Sequence, residues 1–313
     1  MKKIKDIKIK TPIDIDLRLL EILLADRTTG QNIVWADSEY ELMGEDYDSR
    51  SPIMPELIRG SNFELIKPRA MRYGGLTEGL SPEDAEKFVP AWLCNERNNL
   101  LDEEWFGRKN VFNEPGNKRW EPAEPPIKFP DYPEETDKSW QDYVDERRIE
   151  INCGEAPHLV SRYDVITGKY IKVKNRIGML DRKFRVASEN VRNEIEWRKW
   201  SKRAVQSVYG YEFRGDSLLI ARLNLFYSYV DFSHKSMLTD PTEEDLREIA
   251  EIISWNIWQM DGKNMTPPYI RDRDKFRQTS LFGGENEEKK TPYCRIMDWQ
   301  KGKETDFIEF AKG

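Results

Sequence analysis

The stretch SVYGYEFRGDSLLIARLNLFYSY, residues 207–229, decides how the chain folds. Val208 to Tyr211 reads as a short buried strand, Glu212 closes it with a carboxylate, and Leu218, Leu219, Ile220, Leu223, Leu225 and Phe226 fill the helix that follows. Upstream, ASENVRNEIEWRKWSKRAVQ (187–206) predicts one helix with Val191, Ile195, Trp200, Ala204 and Val205 near a common face. Helix, strand, helix is the grammar of an open α/β sheet, whose ligands lie beyond the carboxyl ends of the strands. A carboxylate there can accept two hydroxyl hydrogen bonds from a nucleoside, and Gly210 and Gly215 would admit close backbone approach. The plainer reading is that Glu212 is the first exposed residue after a strand.

The chain has 313 residues, 10 Trp, 13 Tyr and 13 Phe, enough apolar area for a sizeable core and enough length for one large or two ordinary domains. Its net charge of −7 argues against binding nucleic acid or membrane through overall charge, so any DNA contact needs a local patch. SNFELIKPRAMRYGG (61–75) offers one, with Lys67, Arg69 and Arg72 interleaved with Phe63 and Tyr73, or else an ordinary solvated surface. Cys94, Cys153 and Cys294 are too scattered for a disulfide framework or a zinc knuckle, which suits a reducing cytoplasm. The opening residues lack an apolar secretory core and no stretch approaches the length of a membrane span, so a soluble, unexported protein without membrane partners is expected.

Four regions follow from the pattern. Residues 1–112 form a mixed region with a helix at DLRLLEILLAD (Leu17, Leu20, Ile22, Leu23 and Leu24 mainly on one face) and an extended NIVWA. Residues 113–138 are a connector, with six prolines between 113 and 133 that forbid a regular helix or central strand. Residues 139–262 form the core, with a helix ending near Arg148, a strand at Ile149 to Asn152, and a helix at about 242–259 capped by Asp240 or Thr242. Residues 263–313 read as a polar, irregular tail.

INCGEAPHLVSRYD (151–164) contributes a glycine turn at a second strand end, but Gly154 and Glu212 are too far apart in sequence for a dinucleotide fingerprint. Together with AVQSVYGYEFRGDSLLIARLNLF (204–226), it resembles the first two cofactor motifs of adenine-specific, S-adenosylmethionine-dependent DNA methyltransferases of restriction-modification systems. There an xxCGxG turn precedes xxYGxD/E and a helix reading AxxLARxNL. EKFVPAWLCN (86–95) resembles the same family's EFFTPxxLxx segment, and the three segments keep the family's order. LLADRTTGQNIVWADSEYE, WFGRKNVFN, WQDYV and IISWNIWQMDG are similar to proteins described as methylation subunits of restriction systems, which extends the resemblance to about residue 262.

The resemblance implies an α/β fold with a Rossmann-like methyltransferase core. Val89 and Pro90 would border the methionine end of S-adenosylmethionine, Cys153, Gly154, Glu155 and Ala156 would form the turn beneath it, and Glu212 would hold the ribose. Val89 stands where the family has threonine, and Ala156 where it has the last glycine of the turn. The catalytic motif [D/N/S]-P-P-[Y/F/W], which receives a flipped adenine, is matched best by TPPY, Thr266, Pro267, Pro268 and Tyr269, with no clear hydrophobic strand before it. Residues 270–313 are too few for the strands that usually finish such a domain, so the core is either truncated or completed by residues 1–112.

Three functions are therefore open. The first is DNA adenine methylation in a restriction-modification or mobile-element setting. The second is a catalytically inactive, methyltransferase-like subunit that binds DNA or a restriction-system partner. The third is a metal-dependent nuclease using Asp164, Asp181 and Lys183 in a loose D…(D/E)-x-K pattern. His158 and His234 have no second His or Cys in metal-ligand spacing and are expected to be capped or solvent-facing.

Overall fold

In the computed structural model, residues 15–62, 64–72, 89–129, 138–237, 240–270 and 293–312 are described. Helix α1 (Leu17–Leu24) is followed by four short 3-10 helices between Ser38 and Asn62, a single helical turn (Arg69–Arg72), α2 (Ala91–Phe106), the hairpin β1 (Asn113–Gly116) and β2 (Arg119–Pro122), and α3 (Trp140–Asp145). Then come β3 (Arg148–Glu150), α4 (Met179–Asn190), α5 (Glu194–Gln206), β4 (Val208–Glu212), α6 (Gly215–Met237), α7 (Glu243–Asn256) and β5 (Ile257–Gln259). A hairpin, β6 (Arg295–Asp298) with β7 (Lys303–Asp306), and the turn of helix α8 (Phe307–Phe310) close the described chain.

The main sheet is parallel, in the order β3-β4-β5, with Arg148 opposite Val208 and Gly210 opposite Ile257. Parallel neighbours need crossovers, and here each crossover carries two helices. The chain is an α/β protein. No helix among the described residues is long and apolar enough to cross a membrane.

Alternation along β4 and β5 divides two cores. Val208 and Ile257 join the main apolar cluster, which runs from Ile15 through Trp35, Phe184 and Leu218 to Ile253. Tyr209, Tyr211 and Trp258 face the other way and pack with Cys294, Ile296 and Phe307. The C-terminal segment expected as polar and irregular thus supplies a hairpin and a helical turn that cover the second face of the sheet. Its apolar residues are few, but they are spaced for one face of a strand, which a composition average over the segment conceals.

Helix α6 explains the opening stretch: every residue from Gly215 to Tyr229 is buried, as befits a helix apolar nearly all round. Its polar residues act as ties. Arg222 is fully buried and donates from Nε to the carbonyl of Ile257 (2.7 Å), from Nη1 to those of Leu23 (2.6 Å) and Ala25 (3.0 Å), and from Nη2 to that of Ser254 (3.2 Å). These are the last carbonyls of α1 and α7, which have no partner within their own helices and carry the negative ends of the helix dipoles. Burial lowers the Arg222 pKa to about 9, so the guanidinium remains charged at neutral pH. Lys183 does the same at the end of α3, donating to the carbonyls of Tyr143 (3.1 Å), Val144 (2.9 Å) and Glu146 and to Ser207 Oγ (2.9 Å).

The N-terminal segment is fastened to the sheet by Gln259. Its Oε1 accepts from the Val34 amide (2.8 Å), while Nε2 donates to the carbonyls of Val34 and Phe213 (both 2.8 Å). Beside it the Gly215 amide donates to Trp35 O at 2.9 Å. A Cβ on Gly215 would overlap the Val34 carbonyl, so this glycine admits the protein's own backbone and not a ligand. The stretch NIVWA is extended but makes only isolated bridges, such as Val34 with Pro52.

One expected helix is divided and another ends early. The helix expected over 187–206 is two, because Asn193 caps α5 by accepting from the Glu196 amide. The helical phase restarts there, leaving Ile195 81% exposed. The expected 242–259 helix starts with a capping box between Thr242 and Asp245 but stops at Asn256, where Ile257 and Trp258 pair with the open edge of β4; tertiary pairing overrides local propensity. The proline-rich segment bears β1 and β2, outside the main sheet, consistent with the exclusion of a central strand there.

Replacing Arg222 by Met would leave the carbonyls of Leu23, Ser254 and Ile257, all buried, and the part-buried one of Ala25 without this donor. The variant is expected to lose about 3 kcal/mol or more of stability, read as a lower urea midpoint; an unchanged midpoint would contradict the tie.

Candidate functional site

β3 and β4 end side by side, and the chain beyond β3 turns sharply. Asn152, Gly154 and Ala156 all have positive φ (49°, 54° and 61°), with Cys153 between the first two. The Cys153 amide donates to Tyr211 O (2.8 Å), and the Ala156 amide donates to Cys153 O (2.7 Å). The turn is then clamped by Glu212. Its Oε2 accepts from the Gly154 amide at 2.8 Å, and its Oε1 accepts from the amides of Phe213 (2.9 Å) and Arg214 (3.1 Å). Burial raises the Glu212 pKa, and the three amides oppose that shift by stabilising the anion. A carboxylate has about four lone-pair sites, so one remains for a ligand hydroxyl.

This clamp forms one wall of a cavity of about 770 Å³, which Val89, Asn98, Cys153, Gly154, His158 and Arg214 also line. The volume lies within the roughly 300–1,000 Å³ of small-molecule and cofactor sites. A Cβ placed on Gly154 would meet nothing within 4 Å, so this turn residue faces open space.

The expected cofactor residues divide by role. Val89, Gly154, Glu155 and Glu212 lie in the wall. Pro90 instead caps α2, with its carbonyl accepting from the amides of Leu93 and Cys94. Cys153 touches the wall, but its thiol is buried in the core, which pushes its pKa well up. The Glu155 carboxylate is taken by the Tyr163 hydroxyl (2.6 Å), and the Glu155 carbonyl by Asn224 (3.0 Å). Ala156 is fully buried. Its positive φ costs about 1–2 kcal/mol, and burial of its methyl returns roughly 0.8 kcal/mol, so alanine is tolerated where the resemblance has glycine.

TPPY is elsewhere. β5 does precede it, contrary to the expectation that no strand would, but β5 pairs with the edge of β4 opposite β3. The Asp261 amide donates to Thr266 O (2.8 Å), closing a tight loop. Thr266, Pro267 and Pro268 are buried, and none of the four residues lines the cavity. The Tyr269 ring meets Phe213 edge-on at 5.9 Å, with the Arg50 guanidinium over it at 5.1 Å. Phe213, next to Glu212, is the nearest link between TPPY and the strand end.

The nuclease set does not converge. Asp181 accepts from Ser161 (amide 2.7 Å, hydroxyl 3.0 Å) and the Gly178 amide (3.1 Å), Lys183 is spent on α3, and Asp164 holds the Thr167 turn (amide 2.8 Å) and the Ala91 amide (2.9 Å). No group of three His, Cys, Asp or Glu among the described residues is placed to hold a metal ion. In the candidate patch, Lys67 pairs with Glu64 at 2.8 Å. Phe63, Tyr73 and the side chains of Arg69 and Arg72 lie outside the described residues.

Sequence reading missed several wall residues. His158 Nδ1 lies 2.9 Å from Glu150 Oε1, against the end of β3. Asn98 donates to the carbonyls of His158 (2.9 Å) and Ile177 (3.0 Å), which orients its amide. Arg214 is held among Asp37, Glu39 and Asp216. Each depends on contacts between distant segments and none is flagged by a local motif. His234 pairs with Asp240 at 2.7 Å near the surface.

Glu212→Gln retains the size of the clamp but must turn an amide group toward one set of backbone N–H donors. It is expected to cost about 1–3 kcal/mol in urea unfolding; an unaltered midpoint would mean the clamp is not formed. Comparisons with protein-family models, curated proteins and solved structures gave no match.

Proposed function

We propose that the cavity binds S-adenosylmethionine and that the chain transfers its methyl group to adenine in DNA. The observation that carries the reading is the Glu212–Gly154 hydrogen bond. It joins, across 58 positions of sequence, the two segments that resemble cofactor motifs, and does so at the carboxyl ends of adjacent parallel strands. Strand order supports it too: β5-β4-β3 runs as the 3-2-1 half of a doubly wound sheet, in which strand 1 lies beside the ligand crevice.

The residues suit such a cofactor. Glu212 would accept a ribose hydroxyl through its remaining lone pair, Gly154 would leave room for close approach, and Val89 would give an apolar contact. When bound, the cofactor supplies an electrophilic methyl on a sulfonium. The chain's part is to seat it, desolvate it and hold the strand-end turn rigid around it.

A second reading, a methyltransferase-like subunit that binds cofactor or DNA while a restriction-system partner does the chemistry, is favoured by the position of TPPY outside the cavity. Incubation of the chain with methyl-labelled cofactor and DNA separates the two. Label in adenine, reduced at least tenfold by Tyr269→Ala, is the result expected of the enzyme. Binding of cofactor or of DNA without transfer selects the subunit, and a chain that binds neither and transfers no label contradicts both.

A further inference from the structure

Where α2 meets the chain beyond β3, two side chains of the cavity wall have spent their donors on the protein itself. Asn98 is 1% exposed, and its amide nitrogen donates to the carbonyls of His158 (2.9 Å) and Ile177 (3.0 Å). Two carbonyls fix the orientation of the amide, because only its nitrogen can face them. Oδ1 is then the polar atom left for the cavity, and it is buried with no hydrogen-bond partner among the described residues. Buried acceptors are normally satisfied, so an unmet one on a cavity wall calls for a donor from whatever fills the cavity. His158 is arranged in the same sense. Its Nδ1 lies 2.9 Å from Glu150 Oε1, and the Glu150 carboxylate also accepts from the amides of His158 (3.3 Å) and Leu159 (3.1 Å). A carboxylate so placed takes the Nδ1 hydrogen, which leaves Nε2 of the neutral ring as an acceptor. Nε2 makes no hydrogen bond among the described residues, and the ring lines the same cavity.

We propose that this part of the wall is an amine subsite, which receives a primary amino or ammonium group of the bound molecule. One N–H is donated to Asn98 Oδ1 and another to His158 Nε2. A hydroxyl has a single hydrogen and meets only one of these acceptors, while a carboxylate or phosphate meets neither. The buried Glu150 carboxylate behind the imidazole favours a group with positive charge. Arg97, the neighbour of Asn98 on α2, is exposed and stands about 100° away round the helix. Two molecules of the proposed methyl transfer carry such a group: S-adenosylmethionine, at its amino-acid end, and the adenine that accepts the methyl. The inference rests on that reading for the source of the amine.

Nitrogen NMR of the full chain, combined with calorimetry, tests the subsite and separates the two sources. The chain has two histidines, and His234, paired with Asp240 near the surface, serves as the internal reference. The Nε2 signal of His158 moves upfield when that atom accepts a hydrogen bond, while the His234 signals stay. Ligands are compared in pairs: S-adenosylmethionine against its deaminated analogue, and 9-ethyladenine against 9-ethylpurine on the chain with and without cofactor. In one pair the member bearing the amine is expected to bind at least tenfold more tightly and alone to move the Nε2 signal, because an acceptor built for an N–H rejects a molecule that lacks one. A response to the first pair assigns the subsite to the cofactor, and a response to the second assigns it to the methyl acceptor. Equal affinities within both pairs, or an Nε2 signal that no amine moves, overturns the subsite and leaves the cofactor reading standing wherever S-adenosylmethionine still binds. Absence of S-adenosylmethionine binding sinks that reading alone, and the purine pair on the cofactor-free chain then decides the subsite.

Discussion

The hydrogen bond from the Gly154 amide to Glu212 Oε2 holds together what the chain keeps far apart. The Cys153 amide already ties the turn after β3 to Tyr211 O at the end of β4, and the Gly154 bond extends that tie to the turn after β4. With it, three amides converge on one half-buried carboxylate, and the cavity acquires a wall of fixed shape. The same bond gives Glu212 a structural reason to exist, so its presence at a strand end is explained before any ligand is considered. A ligand hydroxyl would complete a coordination that the fold has already three-quarters filled.

That clamp is only as firm as the sheet beneath it, and a three-stranded parallel sheet is small. Its helices are fixed to it by buried side-chain donors that act on carbonyls. Arg222 gathers the ends of α1 and α7, and Lys183 gathers the end of α3. Helix C-termini that meet in a core would otherwise leave unpaired acceptors in a medium without water. Gln259 then draws the N-terminal segment onto the outer strand, which makes residues 15–62 part of the same packed unit as the core instead of an appendage.

What the residues revealed in advance was local. β4, the start of α7 and the extent of α1 depend on short-range pattern and capping, and each lies where periodicity places it. Glu212 and Gly154 were legible as a pair only through resemblance, since 58 positions separate them. The end of α7 was not legible, because Ile257 and Trp258 fit either a helix or a strand until β4 offers an edge. The C-terminal hairpin was hidden because Cys294, Ile296 and Phe307 become a core only against Tyr209, Tyr211 and Trp258. The tetrapeptide TPPY was legible, but its position beyond β5 and outside the cavity was not, because four residues carry no information about which side of β4 the chain will leave from.

The proposal that the Glu212 clamp forms the wall of an S-adenosylmethionine site is tested most directly by calorimetric titration of the purified chain and of Glu212→Ala with that cofactor. Saturable binding to the parent chain is expected, weakened by about tenfold or more in the variant, as for loss of a hydrogen bond to a charged group. Equal affinities for the two proteins, or heat of dilution alone from both, would contradict it.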